Sequence, residues 1–292
     1  MIYEVLKRAL KITWNNPSLW FFGFLSTFFL FSSNEFFLIS LFPFLFFSLP
    51  NQQIYLLTEY KKGINFNFLI IFLLILVFLI LLAIFSEIFI ILSAKNFNEE
   101  KNKNGLVKKS WHYLGRVLFL RLSLFLIFCF CGFVFIFLFR RISSSISFFL
   151  IILFLLINLL ALFLIRYTIL YLVIENHNLK QSLKRGLIFL KENWLRTFKI
   201  SLFLFLIISL YGLLASIFLQ SGIFTYPLRL SNFLLSNLFG KYGFWTVAIF
   251  TSIFVVILQV VITGFINTYQ IVCWLLLFSK GREEMLKTQN KN

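Results

Sequence analysis

The stretch of sequence that decides the fold reads Phe68-Leu-Ile-Ile-Phe-Leu-Leu-Ile-Leu-Val-Phe-Leu-Ile-Leu-Leu-Ala-Ile-Phe85. These 18 consecutive residues carry no charge and no polar side chain. As an α-helix rising 1.5 Å per residue they would extend about 27 Å, which nearly matches the hydrocarbon core of a bilayer at about 30 Å. A helix also satisfies its own backbone hydrogen bonds, as a chain inside lipid must. The stretch therefore predicts a membrane-spanning helix.

The same criterion, applied to all 292 residues, predicts six membrane-spanning helices. They are Leu19–Ser32, Phe66–Ser93, Leu118–Phe139, Ile146–Ile174, Leu195–Leu219 and Phe244–Phe278. A further apolar stretch, Leu38–Leu49, is only about a dozen residues long and contains Pro43, so we interpret residues 36–49 as a re-entrant or interfacial segment on the outer side. Leu228–Phe239 has one apolar helical face and predicts a second outer interfacial helix, with an irregular apolar loop as the alternative.

The composition of the whole chain indicates the same class of protein. Hydrophobic residues make up 61% of the chain and charged residues 13%, and the mean hydropathy is +0.95. Soluble domains contain about 45–50% apolar and about 25% charged residues, so a soluble enzyme, a disordered chain and a disulfide scaffold are excluded. We therefore predict an all-α, polytopic membrane helix bundle that forms one domain over residues 1–292.

The positive charge is distributed unevenly between the predicted spans. There are 27 Lys and Arg residues against ten acidic residues, which gives a net charge of +17. Twenty of the 27 lie in residues 1–17, 94–118, 166–200 and 279–292, while each of the alternate loops holds two. Because Lys and Arg are retained in cytoplasmic loops, this pattern predicts that both termini are cytoplasmic. The charge then indicates contact with anionic lipid rather than nucleic acid, and the abundance of Asn, Lys, Ile and Phe is typical of an AT-rich bacterial gene, which favours a plasma membrane.

Three basic segments precede the first, third and fifth predicted spans. They begin Leu6-Lys-Arg-Ala9, Val107-Lys-Lys-Ser110 and Leu183-Lys-Arg-Gly186, so each has an aliphatic residue, two cations and a small residue in the same order. Helical periodicity predicts an apolar face on each segment. The predicted faces are Ile2, Leu6, Ala9 and Thr13, then Val107, Trp111, Leu114 and Leu118, then Leu179, Leu183, Leu187, Leu190 and Trp194. The candidate contacts to lipid headgroups are Lys7, Arg8, Lys11, Lys108, Lys109, Lys184 and Arg185.

These segments predict a threefold internal repeat. Its unit would be an amphipathic helix in the cytoplasmic headgroup layer, a span out and a span back, used in residues 1–95, 96–176 and 177–292. Each copy begins and ends on the same side, so any symmetry axis would run along the membrane normal. The alternative is that the preference of Lys and Arg for cytoplasmic loops alone places basic residues before these spans.

Three ionisable residues lie well inside the predicted spans: Glu87, Arg121 and Arg166. Each would cost several kcal/mol in lipid unless paired or hydrated. Their distances from the helix ends place all three at a similar depth, which predicts an ion pair of Glu87 with Arg121 or Arg166. Asn267 and Gln270 of the last span fall at a comparable depth and complete a predicted polar cluster. The cluster either holds helices together, with an arginine extending to the headgroups, or forms a substrate or lipid-headgroup site.

Sequence motifs for catalysis are missing from the chain. It has no Gly-rich phosphate loop, nucleophile elbow, zinc-binding helix or Cys-x-x-Cys pair, and neither His112 nor His177 has a second ligand at metal spacing. We therefore expect no catalytic residue, no metal and no cofactor.

Three passages resemble bacterial six-span proteins related to the membrane domain of glycerophosphoryl diester phosphodiesterase. The first is the basic helix leading into Trp20-Phe-Phe-Gly-Phe24, the second is Tyr171-Leu-Val-Ile-Glu-Asn176 followed by Leu183–Trp194, and the third is Asn267-Thr-Tyr-Gln-Ile-Val-Cys-Trp274. In full-length enzymes of that family a separate soluble barrel with a His-Arg-Gly motif carries out hydrolysis. Here His112 is followed by Tyr113 and His177 by Asn178, so the resemblance implies a membrane module without the hydrolase.

Two functions follow as competing hypotheses. The first is a non-enzymatic membrane module that binds anionic lipid through its basic helices and acts as a scaffold, an accessory subunit or a lipid-handling protein. The second is a transporter or lipid flippase in which Glu87, Arg121 and Arg166 line a cavity. An intramembrane enzyme is the least favoured, because one acidic and two basic residues supply neither a nucleophile nor a metal site.

Overall fold

A computed structural model describes residues 2–27, 66–97, 103–139, 144–220 and 241–289. These residues form seven α-helices and no strand. In chain order the helices are α1 (Ile2–Trp14), α2 (Pro17–Thr27), α3 (Phe66–Lys95), α4 (Lys103–Phe139), α5 (Ser144–Glu175), α6 (Leu179–Gln220) and α7 (Lys241–Gln289). The predictions for residues 36–49 and 228–239 lie outside the described residues.

Four helices are long and apolar enough to cross a membrane, within the described part of the chain. They are Ile70–Lys95, Ile152–Glu175, Leu179–Leu213 and Val256–Lys287. The protein is therefore all-helical and membrane-like, as the composition predicts. Of the two other predicted spans, residues 118–139 form the second part of α4, whereas only residues up to Thr27 of the first are described.

The basic segments differ from the predicted separate interfacial helices. Only α1 is a helix of its own, because Asn16 and Pro17 end it: Pro17 has no amide hydrogen to continue a helix, and the Leu19 amide donates to the Asn16 carbonyl at 3.0 Å to start α2. In α4 the basic segment continues without a break into the apolar segment. In α6 the two parts join at a kink at Asn193, which has φ −116° and ψ 20°.

Burial recurs at the same positions relative to the three four-residue motifs. In each motif the two cations are exposed and the final small residue is buried. The recurring buried positions are Val5, Ala9, Ile12 and Thr13 in α1, Leu106, Ser110, Tyr113 and Leu114 in α4, and Ser182, Gly186, Phe189 and Leu190 in α6. The three segments thus pack through equivalent faces.

These faces correct the predicted apolar faces of the second and third segments. Val107, Trp111, Leu187 and Trp194 are exposed, although periodicity assigned them to the apolar face. The physical reason is that exposed apolar side chains are acceptable in a protein that faces lipid, whereas small residues such as Ser110 let helices approach closely. The buried face is therefore marked by small residues more than by large apolar ones.

The helices pack around three central helices, and the first helices of the chain contact the last one. Helices α3, α5 and α7 contact one another. Around them, α4 packs on α3, α6 packs on α5, and α1 and α2 pack on α7. The beginning and the end of the chain therefore meet in the α2–α7 interface, which closes the arrangement.

Two glycines set the distance between helices in the α2–α7 interface. A Cβ atom added to Gly23 would overlap the Gly264 carbonyl oxygen and the Thr268 hydroxyl, and one added to Gly264 would overlap the Trp20 carbonyl oxygen. Backbone therefore touches backbone at this crossing, as small residues permit in membrane helix pairs.

Candidate functional site

The buried polar cluster centres on an ion pair between two helices. The Arg121 guanidinium of α4 donates a hydrogen bond to the Glu87 carboxylate of α3. Both residues are buried, with 4% and 8% of their surfaces exposed. Because ions removed from water need close partners, this pair neutralises two charges that would otherwise be costly at this position.

Arg166 of α5 lies beside this pair. It is buried at 7% exposure, and its guanidinium carbon is 4.9 Å from the ring centroid of Trp274 in α7, which is a cation–π geometry. Glu87, Arg166 and Trp274 also line one cavity of about 20 Å³. That volume suits a single water molecule. Arg121 and Arg166 are both buried between helices rather than exposed on the surface of the bundle.

The last span contributes differently from the prediction. The Asn267 amide nitrogen donates to the Gly23 carbonyl oxygen at 3.0 Å and to the Ser26 hydroxyl, so Asn267 contacts α2. Gln270 is buried, but Trp274 is the residue of α7 that contacts Arg166. Depth assigned Asn267 to the predicted polar cluster, but residues at the same depth on one helix can face different neighbours, and Asn267 faces α2.

The α3–α4, α5–α6 and α2–α7 interfaces each carry a polar contact. In the α3–α4 interface it is the Glu87–Arg121 pair, and in the α5–α6 interface the Tyr167 and Thr197 hydroxyl oxygens are 2.7 Å apart. Glu87 and Tyr167 each lie eight residues before the last residue of their helix. In the α2–α7 interface the Thr268 hydroxyl donates to the Leu19 carbonyl oxygen at 2.9 Å. The α3–α4 and α5–α6 contacts thus occupy equivalent places with different chemistry.

A second polar cluster, which we call the basic end, surrounds the carboxyl terminus of α5. The Glu175 carboxylate lies 3.2 Å from Arg185 and 2.9 Å from both Arg282 and His177. Arg282 approaches the Oε1 atom without hydrogen-bond geometry, so its interaction is electrostatic.

Cations of two more helices reach the same terminus. Lys95 of α3 donates to the Ile174 carbonyl oxygen at 3.1 Å, and Arg116 of α4 donates to the side chain of Asn176 at 3.3 Å. Asn176 has φ 56°, the left-handed conformation that ends many helices. Positive charge at a helix carboxyl terminus is favourable, because the terminus carries partial negative charge. Four Lys or Arg residues and one carboxylate leave the basic end with excess positive charge.

The basic end was not predicted from the sequence. Glu175, Arg116 and Arg282 stand at the ends of apolar stretches, where charged residues are expected in any membrane protein. The one available signal was Glu175 itself, an isolated acidic residue in a basic region.

The predicted headgroup contacts all lie on the surface. The exposed side chains are Lys7, Arg8, Lys11, Lys108, Lys109, Lys184 and Arg185. Arg185 also contacts Glu175, so it belongs to the basic end. Near α1, Lys280 of α7 donates to Glu4 and holds the pKa of that carboxyl below its usual value.

A surface groove, the kink groove, opens at the kink of α6. It has a volume of about 390 Å³ and lies between α6 and the end of α7. Residues that line it include Glu192, Asn193, Trp194, Arg196, Gly281 and Glu284. Arg196 donates to Glu284 and, at 3.3 Å, to the Asn193 side-chain oxygen.

The side chain of Asn193 stabilises the kink. Its amide nitrogen donates to the Phe189 carbonyl oxygen at 3.3 Å, and the backbone carbonyl oxygen of Asn193 accepts from the Thr197 hydroxyl at 2.9 Å. Gly281 has no side chain to fill the space, and an added Cβ there would overlap the Phe189 ring. The groove was not predictable from local sequence, because Asn193 and Gly281 are 88 residues apart in the chain.

The described side chains contain no group of three or more His, Cys, Asp or Glu residues placed to hold a metal ion. In comparisons with known proteins, no family model, curated protein or solved structure matches the chain.

Proposed function

We propose that this protein is a non-enzymatic, six-span module of a bacterial plasma membrane that binds anionic lipid at its cytoplasmic face. The observation that carries the proposal is the recurring arrangement of the three basic segments, in which exposed cations stand opposite an equivalent buried face. Such a segment is held by the bundle on one side and presents positive charge to the headgroup layer on the other.

The six-span topology places all basic segments on one side. In this proposal α2 continues into a first span and the second part of α4 forms the third, in addition to the four candidate helices. The termini are then cytoplasmic, and the basic end lies at the cytoplasmic headgroup layer. Contacts of Lys95, Arg116, Arg185 and Arg282 around one helix terminus support a common side for three of the four basic regions, 94–118, 166–200 and 279–292.

The threefold repeat gains support from two observations. Burial has the same register in the three basic segments. In addition, Arg121 and Thr197 both stand 14 residues after the first residue of their motifs, and both make the polar contact to the preceding central helix. A resemblance to the membrane domain of glycerophosphoryl diester phosphodiesterases fits a module of this kind, with hydrolysis left to other chains.

The lipid proposal is tested with purified protein and native mass spectrometry. Reversal of three exposed motif cations, Lys7→Glu, Lys108→Glu and Lys184→Glu together, should reduce retention of phosphatidylglycerol by about tenfold, the scale of a few exposed charges at about 1 kcal/mol each when partly screened. The control variant reverses Lys61, Lys62 and Lys241, which are predicted on the outer side and give the same change in net charge. Equal loss in both variants, or no loss in either, would contradict the proposal.

The alternative function, transport or lipid flipping through the buried cluster, is favoured by one observation only. Glu87 and Arg166 line a shared cavity, but its volume of about 20 Å³ suits a water molecule and no lipid headgroup. In proteoliposomes with a fluorescent lipid, Glu87→Gln would abolish flipping at unchanged thermal stability if the cluster were a transport site. We expect the reverse, a loss of thermal stability without any selective loss of flux.

A further inference from the structure

The kink groove differs in charge from the rest of the surface around it. The chain has a net charge of +17, yet the groove is lined by two carboxylates, Glu192 and Glu284, and one guanidinium, Arg196. Arg196 pairs with Glu284, while Glu192 forms no ion pair within the described part of the chain. The charged side chains that line the groove thus sum to one negative charge.

The groove also lies where a lipid headgroup would reach it. Leu195 is the predicted start of a membrane span, and Trp194 and Leu195, on the rim of the groove, are 58% and 53% exposed. Tryptophan is typical of the boundary between headgroups and hydrocarbon. Beyond the rim, exposed Phe198 and Leu202 continue along α6 and offer an apolar surface to acyl chains.

We propose that the kink groove binds the headgroup of a zwitterionic lipid with a primary ammonium group, such as phosphatidylethanolamine. The ammonium would donate to Glu192 and Glu284, and the phosphate would accept from Arg196. Two opposite charges on the ligand thus meet two opposite charges in the groove, as charge-assisted hydrogen bonds favour. The inference rests on the membrane placement given under the proposed function, but it does not depend on anionic-lipid binding at the motif cations.

The experiment compares the retention of three lipids by the purified protein in native mass spectrometry: phosphatidylethanolamine, phosphatidylcholine and phosphatidylglycerol with identical acyl chains. The wild-type protein should retain phosphatidylethanolamine more strongly than phosphatidylcholine, whose quaternary ammonium cannot donate hydrogen bonds. Glu192→Gln should weaken phosphatidylethanolamine retention by about tenfold, the scale of one lost hydrogen bond to a charged group. Retention of phosphatidylglycerol should stay unchanged.

Glu283, the residue before Glu284, provides a matched control. Glu283 is an exposed carboxylate next to Glu284 but does not line the groove, so Glu283→Gln should keep phosphatidylethanolamine retention within about twofold of wild type. Equal retention of phosphatidylethanolamine and phosphatidylcholine by the wild type, or equal effects of Glu192→Gln and Glu283→Gln, would overturn the proposal.

A water-soluble probe distinguishes whether the groove binds a lipid or a free metabolite. Phosphoethanolamine carries the same two charges without acyl chains. If it displaces the lipid at a concentration equal to that of the lipid, the site belongs to a soluble amine phosphate and the lipid assignment is wrong. Loss of phosphatidylglycerol binding in the motif-cation variant, with phosphatidylethanolamine retention intact, would keep the two proposals distinct.

Discussion

The α3–α4 and α2–α7 interfaces join helices by opposite means. The first uses a buried ion pair, Glu87 with Arg121, whereas the second uses two glycines and uncharged donors, Asn267 and Thr268. In the second, the hydrogen bonds run to backbone carbonyls that only close approach brings within reach. In the first, long side chains cover the distance between helices, so the backbones need not touch.

This difference predicts which substitutions each interface tolerates. An interface built on backbone contact is sensitive to volume and tolerates little change at the glycines. An interface built on an ion pair is sensitive to charge balance, and it tolerates a change of shape if both charges leave together. Three substitutions separate these expectations.

The largest effect is expected at the glycine crossing. In Gly264→Val the new side chain would overlap the Trp20 carbonyl oxygen, so α2 and α7 must separate and the bonds of Asn267 and Thr268 are lost together. We expect a folded fraction far below that of the wild type, measured by thermal unfolding in detergent with tryptophan fluorescence. The control is Gly115→Ala in α4, where an added Cβ meets no atom within 4 Å. It should be neutral or gain up to about 1 kcal/mol from helix propensity. A wild-type transition in Gly264→Val would refute the close crossing.

The ion pair should show a smaller effect that a second substitution reverses. Glu87→Gln leaves Arg121 buried beside Arg166 without the carboxylate, which for buried pairs costs about 3–5 kcal/mol. The double variant Glu87→Leu with Arg121→Met removes both charges and should recover most of the loss. Unfolding in detergent measures these variants and the two single variants of the cycle, Glu87→Leu and Arg121→Met. If the double variant is as unstable as the sum of the single ones, the two residues do not act as a pair.

The sequence predicted the helices well and their faces poorly. The ends of α3 and α5 fall within two residues of the predicted spans, because a membrane sets the length of apolar segments. The faces failed at Trp111 and Trp194, since lipid accepts the same apolar side chains that a protein interior does. Hydrophobic periodicity therefore does not identify the buried face of a helix that faces lipid. Small residues such as Ala9, Ser110 and Gly186 do identify it.

The polar contacts between helices were predictable only where a buried charge requires a partner. Glu87 and Arg121 could be found because a buried charge is costly and few charges lie at that depth. Asn267 contacts Gly23, 244 residues away, and an amide has too many acceptable partners for depth to choose one. The kink groove depends on a local break in α6 and on a residue of α7, so neither segment alone indicates it.

The α5–α6 interface supplies the smallest expected effect and the sharpest test of equivalence. Its polar contact joins two hydroxyl groups, Tyr167 and Thr197, that occupy the places of Glu87 and Arg121. Tyr167→Phe removes one neutral hydrogen bond, and such bonds between membrane helices average about 0.6 kcal/mol. Thr197 still donates to the Asn193 carbonyl at 2.9 Å, so its hydroxyl keeps a partner. A double-mutant cycle of Tyr167→Phe and Thr197→Val should therefore give a coupling energy several times smaller than the Glu87–Arg121 cycle. Equal coupling in the two cycles would show that equivalent position, and not the charge of the groups, determines the strength of these contacts.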